Sequence, residues 1–381
     1  MKPKIIKMRL KILLFALFVA NIVIAQKKPF LLVGCYTSGK AEGIYVYSFN
    51  TKTGDDSLIS VVKTKNPSYL AVAANNKIVY AVNETHDSIN GIPGGALSSF
   101  TFDAKSGDLK LINSQSSQGT DPCYVAVTRN NKYVYVGNYS SGTIAAYSIK
   151  TNGTINAASQ VITHEGSGPN KGRQQGPHVH STVLAPDDNY LFASDLGTDK
   201  IMIYKIDKNT GKLTAAPTPF ISAEKGSGPR HFVFSPNGKN AYLVQEMAGK
   251  VDAYDYKDGK LKKLQSISIL PKNFKGDIGA ADIHVSKDGN FLYCSNRGSA
   301  NSITIFKIDK STGKLAEAGY QSTLGKAPRN FNFDPSGNFL LVANQQSDTI
   351  IIFKVDKKTG LLTDTGKRID VPNPVCIKWI E

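Results

Sequence analysis

The sequence predicts an all-β protein: a seven-bladed β-propeller of four-stranded antiparallel blades, its ring closed by pairing of the N- and C-terminal segments. Three observations predict it. A hairpin unit recurs six times with constant internal spacing. Each copy runs on into a second hairpin, and the two ends of the chain supply the halves of a seventh copy. A repeat of about fifty residues, each one supersecondary unit, is the signature of such rings. Helical periodicity is nearly absent beyond the first 25 residues.

The unit is clearest in GPRHFVFSPNGKNAYLVQE (228–246), an apolar strand, a Pro-Asn-Gly turn and a second apolar strand ending in a carboxylate. Asn-Gly between two such runs is a strong hairpin signal. An antiparallel pair turning there sets Arg230 opposite Gln245, with Glu246 one residue further, so a guanidinium and a carboxylate emerge at the same end. Fixing the register on the second strand aligns Ser68, Cys123, His180, Arg230, Ala281 and Arg329; fifteen residues later stand Asn83, Asn138, Asp195, Gln245, Asn296 and Asn344. The second hairpins (200–216, 302–318 and 349–365 are examples) turn at Thr-Gly, where Gly suits positive φ. Segment 30–54 matches the unit from its second strand onward, and NPVCIKWI (373–380) matches only its first strand, so the last segment pairs beside the first. Closure removes the free sheet edges that otherwise template aggregation.

Residues 1–25 stand apart from this domain, which spans 26–381. Lys2, Lys4, Lys7, Arg9 and Lys11 precede an apolar run from Ile12 to Ile24, and small residues offer a cleavage site before Gln26. This is the pattern of a secretory signal peptide. An apolar run of about 13 residues is short against the roughly 20 that span a bilayer. No cysteine follows the cleavage site, so no lipid anchor is expected, and the mature protein is expected to be exported, periplasmic or secreted, and free of the membrane.

Removing five positive charges and no acids takes the formal +16 to +11. The remaining lysines fall mostly in Asp-Lys-x-Thr-Gly turns along the chain rather than in one block, the pattern of a solvated surface and not of a nucleic-acid face. Cys35, Cys123, Cys294 and Cys376 show neither C-x-x-C nor metal spacing, and their density does not suggest a stapled scaffold.

Ring geometry turns the aligned positions into two circles on one face. Ser68, Cys123, His180, Arg230, Ala281, Arg329 and Val375 form the inner circle. The ends of the second strands form the outer one: Asn83/Glu84, Asn138/Tyr139, Asp195/Leu196, Gln245/Glu246, Asn296/Arg297 and Asn344/Gln345. Links 164–180, 224–231 and 84–95 open on the same face. The repeated asparagine amides suit a structural role between blades. His180, Arg230, Glu246, Arg297 and Arg329 depart from the repeat, and their convergence at a channel mouth points to a binding site for an anion. His178 and His231 are weaker candidates, since either could point into a blade.

These residues carry a resemblance to the seven-bladed propeller lactonase family, which includes bacterial 6-phosphogluconolactonase and 3-carboxy-cis,cis-muconate lactonizing enzyme. The matching segments are VGCYT (33–37), NPSYLAV (66–72), GNYSSG (137–142), GPHVHS (176–181), SDLGTD (194–199), GPRH (228–231), QEM (245–247), SNRG (295–298), APRNF (327–331) and ANQQSD (343–348). The resemblance covers the whole mature chain. It implies lactone chemistry by His180, Arg230 and Glu246, with Arg297 the next candidate. Glu246 would take a proton from water, His180 would return one to the leaving oxygen, or the two would exchange roles, and Arg230 would hold the oxyanion. Arg297 and Arg329 suit a carboxylate or phosphate on the substrate. His178, Asn83, Asn138, Asp195 and Gln345 complete the expected substrate-binding set. No serine elbow or zinc motif is visible, so attack by water without metal or cofactor is expected, on a small anionic lactone. Two other readings use the same face: a non-catalytic exported propeller that binds an anionic ligand or a partner protein, and a lactonizing enzyme.

Overall fold

The computed structural model describes residues 28–88, 91 and 94–381. The signal-peptide expectation lies outside the described residues. Within them are 28 strands in seven four-stranded antiparallel sheets. Six sheets each come from one continuous stretch. The seventh has strand order Pro374–Ile380, Phe30–Cys35, Gly43–Phe49, Asp56–Lys63, with Phe30 paired to Ile380 and Gly34 to Cys376. Inner strands touch their neighbours around the whole ring, and Pro374–Ile380 meets both Pro328–Phe333 and Leu70–Val72. No helix among the described residues is long and apolar enough to cross a membrane.

The core lies between blades. Middle strands such as Ile78–Asn83 and Tyr133–Asn138 are buried on both faces, so they read as continuous apolar runs rather than alternating ones. Tyrosines on them reach across three of the seams: the Tyr135, Tyr242 and Tyr293 hydroxyls donate to the carbonyls of Gly211, Gly313 and Gly360 at 2.9, 3.1 and 2.6 Å. Gly211 itself has φ +70°, and a Cβ there would sit 2.2 Å from the Tyr133 ring. The Thr-Gly turns therefore need glycine for two reasons, a left-handed backbone and contact with the preceding blade.

One detail of register differs from the simple hairpin and builds the site. Pro229, not Arg230, lies opposite Gln245, and pairing resumes at His231 with Val244. The turn is longer than a two-residue Asn-Gly loop: the Gly238 N–H donates to the Ser235 carbonyl at 2.9 Å and only Gly238 takes positive φ, at +68°. Arg230 is thus the extra residue of a β-bulge. Equivalent slips leave out Cys123, His180, Arg329, Val375 and the Ala281–Asp282 pair. Proline stands just before the slip at 122, 229, 328 and 374, where its missing N–H costs no ladder bond. A bulge twists the strand and re-aims the unpaired side chain, here at the ring axis.

Candidate active site

At the axis the two circles of residues enclose a cavity of about 220 Å³, lined by Tyr36, Glu84, Cys123, Tyr139, Arg173, His180, Glu246, Arg297 and Arg329. Cys123, His180 and Arg329 come from bulges. Tyr36, Glu84, Tyr139, Glu246 and Arg297 each stand one residue past the end of a middle strand. Arg173 enters from the link 164–178. Larger hollows exist, such as one of about 620 Å³ beside the outer turn Lys307–Lys314 and one of about 340 Å³ lined by inner residues such as Tyr69 and Tyr124, but they gather neither arginine nor histidine.

Glu246 ties one wall together. Its Oε1 accepts from Arg173 Nη2 at 2.6 Å and its Oε2 from Arg230 Nε at 2.9 Å, while Arg297 Nη2 forms an ion pair with Oε2 at 2.9 Å. Burial alone would raise its pKa, but the Arg297, Arg230 and Arg173 charges outweigh burial and hold it at about 2. The carboxylate is ionised at neutral pH and is shared among three guanidinium groups. Arg230 is 1% exposed and lies behind Glu246 rather than in the wall, with Nη1 donating to the Ala281 carbonyl. Arg230, expected to hold an oxyanion, thus does not line the cavity, whereas Arg173, Arg297 and Arg329 do.

Across the cavity, Arg329 Nη2 donates to the Tyr36 hydroxyl at 2.8 Å, and that hydroxyl donates to Glu84 Oε1 at 2.8 Å. His180 stands between the two walls. Its Nδ1 lies 3.9 Å from Cys123 Sγ, and no hydrogen bond to Nε2 is found among the described residues. Burial, then the Arg230, His231 and Arg329 charges, hold its pKa well below the ordinary histidine value, so the ring is neutral at pH 7. His231 lies below it, ring centroids 5.3 Å apart, bonded to Asp282 at 2.7 Å; burial holds its pKa at about 4.

The remaining expected contacts face elsewhere. Asn83 and Asn138 donate to the carbonyls of Lys65 and Ser117 at 2.6 and 2.8 Å, binding the link that enters from the preceding blade. Asp195 accepts from His164 Nδ1 at 2.7 Å and from the N–H groups of His178, Gly197 and Thr198. His178 stacks on Tyr139, centroids 4.5 Å apart, with Nδ1 3.0 Å from the Tyr139 carbonyl, so it braces a lining residue. Gln345 opens a short 3-10 turn, half-buried and outside the lining. Asn83, Asn138 and Asp195 are spent on the frame because a buried amide or carboxylate must satisfy its hydrogen bonds locally.

Tyr36, Glu84, Tyr139 and Arg173 line the cavity without having been singled out by residue type. Their signal was positional: the first three occupy the repeat position of Glu246, and Arg173 lies in a link already expected on this face. All four cysteines are buried free thiols. No cluster of three or more potential metal ligands occurs among the described residues.

Comparison with known proteins agrees with this architecture. The family model "Lactonase, 7-bladed beta-propeller" matches residues 30–379. A 6-phosphogluconolactonase of Formosa agariphila is 40% identical over 322 residues, covering 84% of this chain and 90% of the relative. The 6-phosphogluconolactonase of Bacillus subtilis is 35% identical over 351 residues, covering 91% and 97%. The structure of a periplasmic gluconolactonase from Pseudomonas aeruginosa superposes with TM-score 0.88 at 36% identity, covering 93% of this chain and 99% of that one. The chain is a member of the seven-bladed β-propeller lactonase family.

Proposed function

We propose that this protein hydrolyses a small, anionic, sugar-derived lactone by direct attack of water on the ring carbonyl. The observation that carries the reading is the axial cavity itself, where Arg173, Arg297 and Arg329 and one neutral histidine share a space of about 220 Å³. Four guanidinium groups, Arg230 included, stand against the two carboxyls Glu84 and Glu246, and the surplus of positive charge favours an anion. The names borne by the relatives support a lactone as the substrate class.

In this reading His180 takes the proton of the attacking water, since its Nε2 is uncommitted and the ring is neutral. Positioned general bases are typically worth about 10²–10⁴ in rate. Glu246 is the weaker candidate for that step, because a carboxylate held at about 2 by three arginines has little tendency to accept a proton. It instead fixes the guanidinium forks of Arg173 and Arg297. One of these holds the carbonyl oxygen as it gains negative charge, a contribution of roughly 10²–10³ for a well-placed donor. Arg329 suits a carboxylate or phosphate substituent. Export rests on the basic and apolar pattern of residues 1–25, and the periplasmic assignment of the Pseudomonas protein supports it.

A hydrolysis screen tests the function. Purified protein lacking residues 1–25 is offered glucono-lactone, its 6-phosphate and muconate-type lactones, with acid release measured against a blank for spontaneous opening. The phosphorylated or carboxylated lactones are expected to give the higher kcat/KM. Preference for the neutral sugar lactone would remove the anionic assignment, and no turnover on any would favour the non-catalytic reading. N-terminal analysis of the native protein, expected to begin at Gln26, tests export.

A further inference from the structure

The cavity contains a second carboxyl for which the reaction scheme above has no task. Glu84 directly follows the middle strand Ile78–Asn83, and its N–H is tied to the Asn66 carbonyl at 3.0 Å, which fixes its place in the wall. Its Oε1 accepts from the Tyr36 hydroxyl at 2.8 Å, while its Oε2 is buried and meets no hydrogen-bond partner among the described residues. A buried carboxylate oxygen left without a donor is costly, and a proton on the group relieves that cost. The two carboxyls of the cavity thus have opposite surroundings. Glu246 is gripped directly by three guanidinium groups, whereas Glu84 reaches its one nearby arginine, Arg329, through a phenol.

We propose that Glu84 is a further catalytic residue, the group that gives a proton to the ring oxygen as the acyl–oxygen bond of the lactone breaks. This rests on the lactone-hydrolase reading and supplies the acid that reading lacks. The atoms balance. The water oxygen bonds to the carbonyl carbon and its proton passes to His180. The bond from that carbon to the ring oxygen then breaks, and the freed alkoxide takes the proton of the Glu84 carboxyl. Transfer of one proton from His180 back to Glu84 through solvent restores both groups, and the product is the open hydroxy acid. No oxidant or cofactor is required. The electrostatics agree with the geometry: burial, helped by the Asp121 charge, raises the Glu84 pKa against the pull of Arg329 and of the Ser68 and Tyr36 hydroxyls, while Glu246 is driven down. Carboxyls of one site pushed apart in this way divide into a proton carrier and a permanent anion.

Glu84→Gln keeps the shape and the acceptor for Tyr36 but carries no transferable proton. On the lactone that the wild type hydrolyses fastest, kcat is expected to fall about 10²–10⁴-fold with KM little changed. The alkaline fall of the wild-type rate profile, where Glu84 loses its proton, is expected to disappear. Tyr36→Phe, which removes the hydrogen bond favouring the ionised carboxyl, should move that alkaline fall to higher pH, and it tests the proposal if Glu84→Gln does not fold. Near-wild-type kcat in Glu84→Gln, or a slow variant that keeps the wild-type pH profile, overturns the proposal, as does an unmoved profile in Tyr36→Phe. A wild type that turns over no lactone would instead sink the underlying function, a separate result.

Discussion

Arg230 helps both to keep the charge on Glu246, with Arg297 and Arg173, and to keep one off His180, where burial is the larger cause. Positive neighbours favour a carboxylate and disfavour an imidazolium, whereas burial disfavours the charged form of both. At His180 the two effects therefore add, and at Glu246 the arginines must overcome burial. Two substitutions separate framework from chemistry. Glu246→Gln leaves Arg173, Arg230 and Arg297 without their shared anion. Breaking a buried pair in this way typically costs about 3–5 kcal/mol, so thermal denaturation should show a clear fall in Tm together with lost turnover. His180→Gln removes a neutral ring whose one side-chain polar contact among the described residues is 3.9 Å to Cys123 and which otherwise packs edge-on to His231 and Tyr139; it should lower the Tm less than Glu246→Gln and lower kcat about 10²–10⁴-fold. Acid should act in two stages. His231 has a folded pKa of about 4, below the unfolded value near 6.5. The unfolded chain binds the extra proton between those limits, so stability present above about 6.5 is lost as pH falls toward 4. Glu246, at about 2 when folded against about 4.3 unfolded, adds a second loss between those values. Denaturant midpoints measured from pH 7 to 3 should show the first stage complete and the second under way.

At the level of single elements, the outer turn and the inner bulge have different tolerances. The Thr-Gly turn is closed to change: Gly211→Ala meets the Tyr133 ring and takes a φ of +70°. Strain of that kind is of order 1–3 kcal/mol, and equilibrium unfolding should register it while KM stays put. The hairpins, the outer turns and the split blade were legible because apolar alternation, Asn-Gly and Thr-Gly signals are local and repeat in register. The bulge was not legible. Whether one residue drops out of a ladder depends on how the strand meets its neighbours across the ring, and Pro229-Arg230-His231 reads equally well without the slip. For the same reason Arg230 was expected in the wall, whereas its side chain runs behind Glu246. The asparagines and Asp195 were correctly aligned, but only their surroundings reveal that those groups are engaged by backbone and side-chain partners within the frame.

Seen whole, the molecule depends on its last seven strand residues. Pro374–Ile380 is the innermost strand of the blade begun by Phe30–Cys35, and it touches the inner strands on either side. Ending the chain at Asn373 should uncover the edge of Phe30–Cys35 and the seam holding Leu31, Val33 and Ile377, which are all fully buried. Size-exclusion chromatography is expected to find aggregate rather than folded monomer. That the departing side chains would meet on one face was readable from sequence because circular closure brings equivalent repeat positions together whatever their distance along the chain. Its division of labour was not readable, since the fates of Glu84 and Glu246 turn on which arginine forks reach them.

The recurrent slip in the inner strands has an evolutionary corollary. A residue that sits outside the ladder contributes no rung, so exchanging its side chain leaves the strand pairing itself untouched. Histidine, cysteine, alanine, valine and two arginines already occupy this position in different blades. The ring thus offers a circle of interchangeable sockets around one lumen, and a lineage could retune what it accepts there by single codon changes without first re-engineering the wheel that carries them.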